Sequence, residues 1–233
     1  MKIPRLIHQI WLGKREMPPI MLEWRQKWID LHPGWTCLLW NDFNLSSTLY
    51  CIKIGHFIVP SPANQWAIEK AANVSQRTNI WRYHIINWLG GLYVDTDVEP
   101  LKPIDPLIEN LEAFTSARTN NPSVYECALM GATPQHSWLD DLVKNIHTQD
   151  PSVSFSLGVE YFTPITKVHA EVSLLPDKAF LSNCPSQWLT SGGPPYVGTN
   201  RGTLTEDTYA IHHWSHRWFS GGLEPLQSSP SRG

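Results

Sequence analysis

The sequence predicts a single α/β domain with a mainly parallel central sheet flanked by helices. Three observations carry that expectation. The chain has 233 residues and 42% hydrophobic content, enough for one substantial core where domains run to roughly 100–200 residues. Short runs of branched and aromatic residues alternate with stretches of helical periodicity, the order that parallel sheets produce. No internal repeat breaks the alternation.

The elements follow in order. Leu6-Ile7-His8-Gln9-Ile10-Trp11 mixes branched and aromatic side chains and reads as the first strand. Pro18 and Pro19 open a helix through Met21, Leu22, Trp24, Trp28, Ile29 and Leu31, closed by His32-Pro33-Gly34. Trp35 to Trp40 forms a second strand, ended by the turn signal Asn41-Asp42. One helical region is expected from about Trp66 to Leu89, with Ile80, Tyr83 and Asn87-Trp88 at helical spacing beside Arg82. Gly90-Gly91 stops it, since glycine accepts the left-handed conformation a helix C-terminus often needs.

Leu92-Tyr93-Val94 then makes a short buried strand, and Pro100, Pro103 and Pro106 punctuate its exit. Ala128 to Ala132 reads as a strand and His136 to Ile146 as a helix. Residues 191–203 form a Gly/Pro-rich loop, read as a lid with Arg201 as a phosphate contact or as an ordinary surface loop. The polar, turn-rich tail 220–233 is expected to be disordered, which puts the domain at residues 1–219.

The formal net charge of -3 gives no general electrostatic footprint for nucleic acid or anionic membrane. Apolar runs fall short of the about 7–15 residues of a secretory core and the about 20 of a spanning helix. Cys37, Cys51, Cys127 and Cys184 form no CxxC pair and fit reduced thiols. The expectation is a cytoplasmic protein without a transmembrane anchor.

The chemistry concentrates at Asp95 and Asp97. Residues i and i+2 of an extended chain project from the same face, so both carboxylates can address one point directly after a strand. Such hard oxygen ligands suit Mn²⁺ or Mg²⁺ with positions left open for diphosphate oxygens. By itself Asp-x-Asp fits a solvated turn better than a metal site; the preceding Gly-Gly-Leu-Tyr-Val and the upstream helix reverse that preference.

Its surroundings add a resemblance. The run Asn79-Ile80-Trp81-Arg82-Tyr83, followed by Leu89-Gly90-Gly91-Leu92-Tyr93-Val94-Asp95-Thr96-Asp97-Val98, resembles the DxD sugar-binding region of glycosyltransferase family 32. That family is related in fold to the glucosylating clostridial toxins. Ile3 to Gly13 is similar to the family's opening strand, and Ala210-Ile211-His212-His213-Trp214-Ser215-His216-Arg217-Trp218 to its closing segment. The blocks occur in order and span residues 3 to 218.

The resemblance implies a GT-A fold, a Rossmann-like nucleotide half joined to an acceptor half. It implies that Asp97 ligates the metal, that Asp95 bridges metal and donor, and that His212 is a third metal ligand. Arg82 and Asn79 would hydrogen-bond the donor hexose, Trp11 would stack on the nucleobase, and Trp218 would close over the diphosphate. Tyr93 shares the Asp95 face, as a pocket wall or a core ring. Trp11 also fits a core position. His212 and His213 point opposite ways in an extended segment, so only one reaches the metal; the resemblance selects His212 and leaves His213 to packing.

Three positions depart from the family. Asn79 stands where Asp is usual, Arg217 precedes the closing Trp in place of a small residue, and Thr163-Pro164 replaces a Gly-Pro. Glu126-Cys127-Ala128 stands where the family has an Asn-containing strand, and Glu126 and Asp207 have no assigned role. The implied function is metal-dependent, retaining transfer of a hexose from a nucleotide-sugar, UDP-hexose first and GDP-mannose second. The hydroxyl acceptor is open among glycan, lipid-linked glycan, protein and modified nucleobase. The rival classes are a sugar-nucleotide-binding module without turnover and a metal-dependent nucleotide-sugar hydrolase.

Overall fold

A computed structural model describes residues 2–46, 62–176, 178–182 and 204–215. Cys51, Cys184, Arg201, Arg217, Trp218, the 191–203 loop and the 220–233 tail lie outside the described residues. The chain begins β1 (Leu6–Ile10), α1 (Pro19–Leu31), β2 (Thr36–Trp40), α2 (Asp42–Ser46), α3 (Gln65–Lys70) and α4 (Val74–Leu89). It continues β3 (Gly91–Val94), β4 (Val98–Pro100), α5 (Asp105–Ile108), β5 (Ala113–Arg118), β6 (Asn121–Ala132) and α6 (Ser137–Lys144). The last elements are α7 (Val159–Lys167), β7 (Ser173–Leu174), β8 (Phe180–Leu181) and β9 (Ala210–His212).

Six strands make the central sheet in the order β2-β1-β3-β6-β5-β7. The β2–β1, β1–β3 and β5–β7 pairs are parallel, and only β6 runs against its neighbours. Alternation along β3 builds a core on each face. Tyr93 packs with Ile80, Tyr83, Trp138 and Phe162 beneath α4, α6 and α7. Leu92 and Val94 pack with Ile7, Trp28, Ile104 and Phe180 on the α1 face. A small second sheet, β4-β9-β8, closes that side.

Two glycines fix the junction that carries the acidic pair. Gly90 takes φ +64 and Gly91 φ +95, where a side chain is strained. A Cβ on Gly91 would stand 2.6 Å from the Leu6 carbonyl oxygen, so β3 approaches β1 at a distance only glycine permits. His8 locks the turn: its Nε2 donates to the Gly90 carbonyl at 3.0 Å while Nδ1 accepts from Trp40 Nε1 at 3.1 Å.

Several expectations are corrected. The helix expected from Trp66 to Leu89 is two helices. Ala71 leaves the helical region at ψ 128, Ala72 N–H donates to the Pro151 carbonyl, and Asn73 restarts the chain by capping α4 through the Gln76 N–H. Asn41-Asp42 opens α2 instead of a simple turn, because Asn41 and Asn44 exchange hydrogen bonds from backbone N–H to side-chain oxygen. β6 runs for 12 residues, since β5, which carries no clear sequence alternation, supplies it with an antiparallel partner. Among the described residues no helix is long and apolar enough to cross a membrane.

Candidate metal and donor site

Asp95 leaves the end of β3, and its side chain is held from the contiguous segment that contains Arg82 and Tyr93. Its backbone N–H donates to the Ala128 carbonyl of β6 at 2.9 Å. Tyr93 Oη donates to Asp95 Oδ1 at 2.5 Å, and Arg82 Nη2 lies 3.1 Å from the same oxygen. Arg82 is nearly buried and also donates from Nη1 to the Cys127 carbonyl at 2.7 Å. Its guanidinium sits 4.4 Å from the centre of the Tyr93 ring. Both terminal nitrogens are thus engaged by protein, and only the buried Nε has no partner. Burial disfavours the charge of Arg82, but Asp95, together with Tyr93, Cys127 and Tyr83, outweighs this and keeps it protonated.

Asp97 is held from the far end of the chain. β4 follows it directly and pairs antiparallel with β9, Val98 opposite His212. That register brings His212 Nε2 to 3.4 Å from Asp97 Oδ1. Ser215 donates to Asp97 Oδ2 twice, from its backbone N at 2.8 Å and its Oγ at 2.9 Å. The turn that allows this puts Trp214 at φ +51, a conformation that costs a non-glycine residue roughly 1–3 kcal/mol and concentrates at functional sites. Ser182 Oγ, 3.3 Å from His212 Nδ1, orients the imidazole so that Nε2 faces the carboxylates.

One ligand atom each from Asp95, Asp97 and His212 lies within 4.8 Å of the others. The two carboxylates differ electrostatically. Burial raises the Asp95 carboxyl above its ordinary range, with Asp97 adding to the push and Arg82 opposing it. Asp97 is partly buried, which pushes the same way, but His212 and the Ser215 hydrogen bonds hold it well below that range. Burial alone would lower His212; Asp97 raises it instead. Arg82 balances Asp95, whereas no Lys or Arg among the described residues pairs with Asp97. Two carboxylates and one imidazole with this surplus negative charge fit a divalent cation of the Mn²⁺ or Mg²⁺ kind.

The remaining predicted residues divide. Trp11 is half-buried one residue past β1, its N–H donating to the Trp40 carbonyl and its Nε1 to the Arg15 carbonyl. It therefore leaves the same carboxyl-end edge of the parallel strands as Asp95, where open α/β sheets bind their ligands. Tyr93 has no exposed surface; of the two readings it is the core ring, with its hydroxyl spent on Asp95. Asn79 lies one turn before Arg82 in α4, bonded to Gln76 at 3.4 Å and beside Gly158, and it makes no hydrogen bond to the carboxylates.

His213 turns away from the site. It stacks on Trp24 with ring centres 4.3 Å apart and pairs with Glu99 at 3.0 Å, while Lys27 donates to Glu99 at 2.8 Å. Sequence reasoning missed Ser215 and Ser182. Ser215 stands three residues after His212 inside the closing block, but nothing local distinguishes it from any other serine.

Residues 21–115 match the family described as glycosyltransferase sugar-binding region containing DXD motif. The chain is 31% identical over 144 residues to mannosyl phosphorylinositol ceramide synthase CSH1 of Saccharomyces cerevisiae, covering 62% of this chain and 35% of that protein. It is 29% identical over 161 residues to inositol phosphoceramide mannosyltransferase 3 of Schizosaccharomyces pombe, 69% of this chain and 41% of that protein. The chain thus spans about two fifths or less of the length of these relatives. The solved PaToxG glycosyltransferase shares the fold, with a TM-score of 0.50 and 14% identity over 72% of this chain and 70% of that one. The fold is thus that of the GT-A glycosyltransferases, and the acidic pair at the end of β3 lies within the stretch that matches the DXD-containing sugar-binding region.

Proposed function

We propose that the chain transfers a hexose, with retention of configuration, from a nucleoside-diphosphate donor to a hydroxyl acceptor. The observation that carries this is the convergence of Asp95, Asp97 and His212 on one point from both ends of the domain. A divalent cation bound there supplies charge neutralisation for the departing diphosphate. The protein's part is preorganisation. Arg82 and Tyr93 hold Asp95, Ser215 holds Asp97, and Ser182 aims His212, so none of these groups reorients as charge develops.

Trp11 offers the nucleobase an indole at the strand edge. The side chain of Asn79, one turn before Arg82 on α4, serves the hexose, while Arg82 acts by holding Asp95. A front-face path, in which the departing phosphate oxygen takes the acceptor proton, requires no further carboxylate base. The names of the relatives favour mannose as the sugar, which moves GDP-mannose ahead of the UDP-hexoses, and an inositol phosphate headgroup as the acceptor.

The test is incubation with GDP-mannose, UDP-glucose, UDP-galactose and UDP-N-acetylglucosamine, with Mn²⁺ or with chelator. Metal-dependent release of the nucleoside diphosphate is expected from one of them. The Asp97→Ala variant should lose at least about 10²–10³-fold in that rate, the scale of removing a preorganised electrostatic contact. Binding without release would mean a sugar-nucleotide-binding module; release of a nucleoside monophosphate with sugar phosphate would mean a hydrolase.

A further inference from the structure

Arg118, the last residue of β5, stands beside the site and takes no part in holding the carboxylates. Its Nε donates to Glu126 at 2.6 Å, and Glu126 is 1% exposed. Its guanidinium lies 4.8 Å from the centre of the Trp214 ring. Trp214 stacks in turn on the predicted metal ligand His212, ring centres 4.3 Å apart and planes 26° from parallel.

The two arginines are used differently. Arg82 spends both terminal nitrogens on protein oxygens. Arg118 spends only Nε, one of five N–H donors, and its terminal nitrogens bond nothing among the described residues. Neither of them is among the fully buried unpartnered atoms, and the Arg118 side chain keeps 12% exposure. Glu126 and Trp214 therefore fix the plane of a guanidinium whose outer edge stays available, the form in which arginine takes a phosphate through two parallel N–H donors. The local charge agrees. Asp95, Asp97 and Glu126 face two arginines, and a divalent cation at the aspartates tips the balance positive.

We propose, resting on the transferase reading above, that Arg118 is a phosphate-binding residue of this site. It grips a phosphate of the substrates, either the diphosphate of the donor or a phosphate on the acceptor headgroup. The two sources share one chemistry and separate by titration.

The experiment uses the full chain with Mn²⁺, the wild type and the variants Arg118→Gln and Arg118→Lys. GDP is titrated by calorimetry. Then myo-inositol 1-phosphate is titrated into protein saturated with Mn²⁺ and GDP, with myo-inositol as the phosphate-free control. Loss of a charge-assisted bidentate contact should weaken one titration by about 10- to 100-fold, and lysine, lacking the fork, should restore little of it. A fall in GDP affinity assigns the donor diphosphate; a fall in myo-inositol 1-phosphate affinity alone assigns the acceptor.

Both titrations within twofold of wild type would overturn the inference. Thermal melting accompanies each variant, because Arg118→Gln leaves Glu126 buried without its partner. If Arg118→Gln does not fold, Arg118→Lys decides, since it keeps a cation for Glu126 but not the fork; unchanged affinities there overturn the inference as well. Wild-type protein that binds no nucleotide with Mn²⁺ sinks the transferase reading and this inference together. Normal wild-type binding with unaffected Arg118 variants sinks the inference alone.

Discussion

Asp95 and Asp97 are neighbours but one, yet they are held by different kinds of structure. Asp95 is fixed from within a continuous stretch: Arg82 comes from the helix just before it and Tyr93 from the same strand. Asp97 depends on His212 and Ser215, brought from the other end of the chain by the β4–β9 pairing. The first arrangement exists once α4 packs on β3. The second exists only when the domain has closed. The comparison separates a locally built half of the site from a half that reports on the whole fold.

The largest effect should come from breaking the long-range half. His212→Ala removes a proposed ligand and is expected to weaken Mn²⁺ binding, read by calorimetry, by more than the roughly 10–100-fold typical of losing an outer-shell partner. His213→Ala should instead lower the melting temperature, because it strips Glu99 of one partner and Trp24 of its stacking face. Equal losses of metal affinity in the two variants would contradict the division of roles between these adjacent histidines.

The local half should fail first in mild acid. His8 and His84 are buried and held down to about 4, in both cases by desolvation. In the unfolded chain each titrates near 6.5, so between those values the unfolded state binds the extra protons. Stability is therefore full above about pH 6.5 and falls as pH drops toward 4, by on the order of 3 kcal/mol for each histidine. A protonated His8 would present Nδ1–H to the Trp40 Nε1 donor and loosen the Gly90 turn. Urea midpoints measured across this window should decline, and His8→Gln should flatten part of the slope; a flat profile in the wild type would count against the buried neutral pair.

Smaller effects sharpen the contrast. Ser215→Ala keeps the backbone N–H on Asp97 but loses the hydroxyl, so Mn²⁺ affinity should fall by roughly tenfold. Tyr93→Phe removes one hydrogen bond from Asp95, which retains Arg82; a change in metal affinity of a few-fold and a stability loss of about 1 kcal/mol are expected. If Tyr93→Phe cost more metal binding than Ser215→Ala, the local half would be the weaker one.

Legibility in the sequence follows the same division. The strand-glycine-acid run 90–97 was readable because every constraint in it is local: a helix stop, a buried strand, and alternation that puts two carboxylates on one face. The two helices read as one between Trp66 and Leu89 were not, because the break at Ala71 depends on a hydrogen bond from Ala72 to Pro151, a contact no local pattern encodes. β5 escaped notice for a similar reason. It is a strand through its pairing with β6, and its burial continues over four residues without alternating. Arg82 was identified as a site residue, but its partner was expected to be the hexose; the structure spends it on Asp95 and Cys127.

The sequence by itself determined the α/β class, the glycine turn and the paired aspartates, since backbone preference and periodicity act over a few residues. It also named His212, though only through resemblance to a family. Which serine anchors Asp97 and where Arg118 directs its terminal nitrogens were decided by tertiary structure alone. Those outcomes rest on strand register and on packing between segments about a hundred residues apart. Shifting that register by one residue would exchange His212 for His213 at the site.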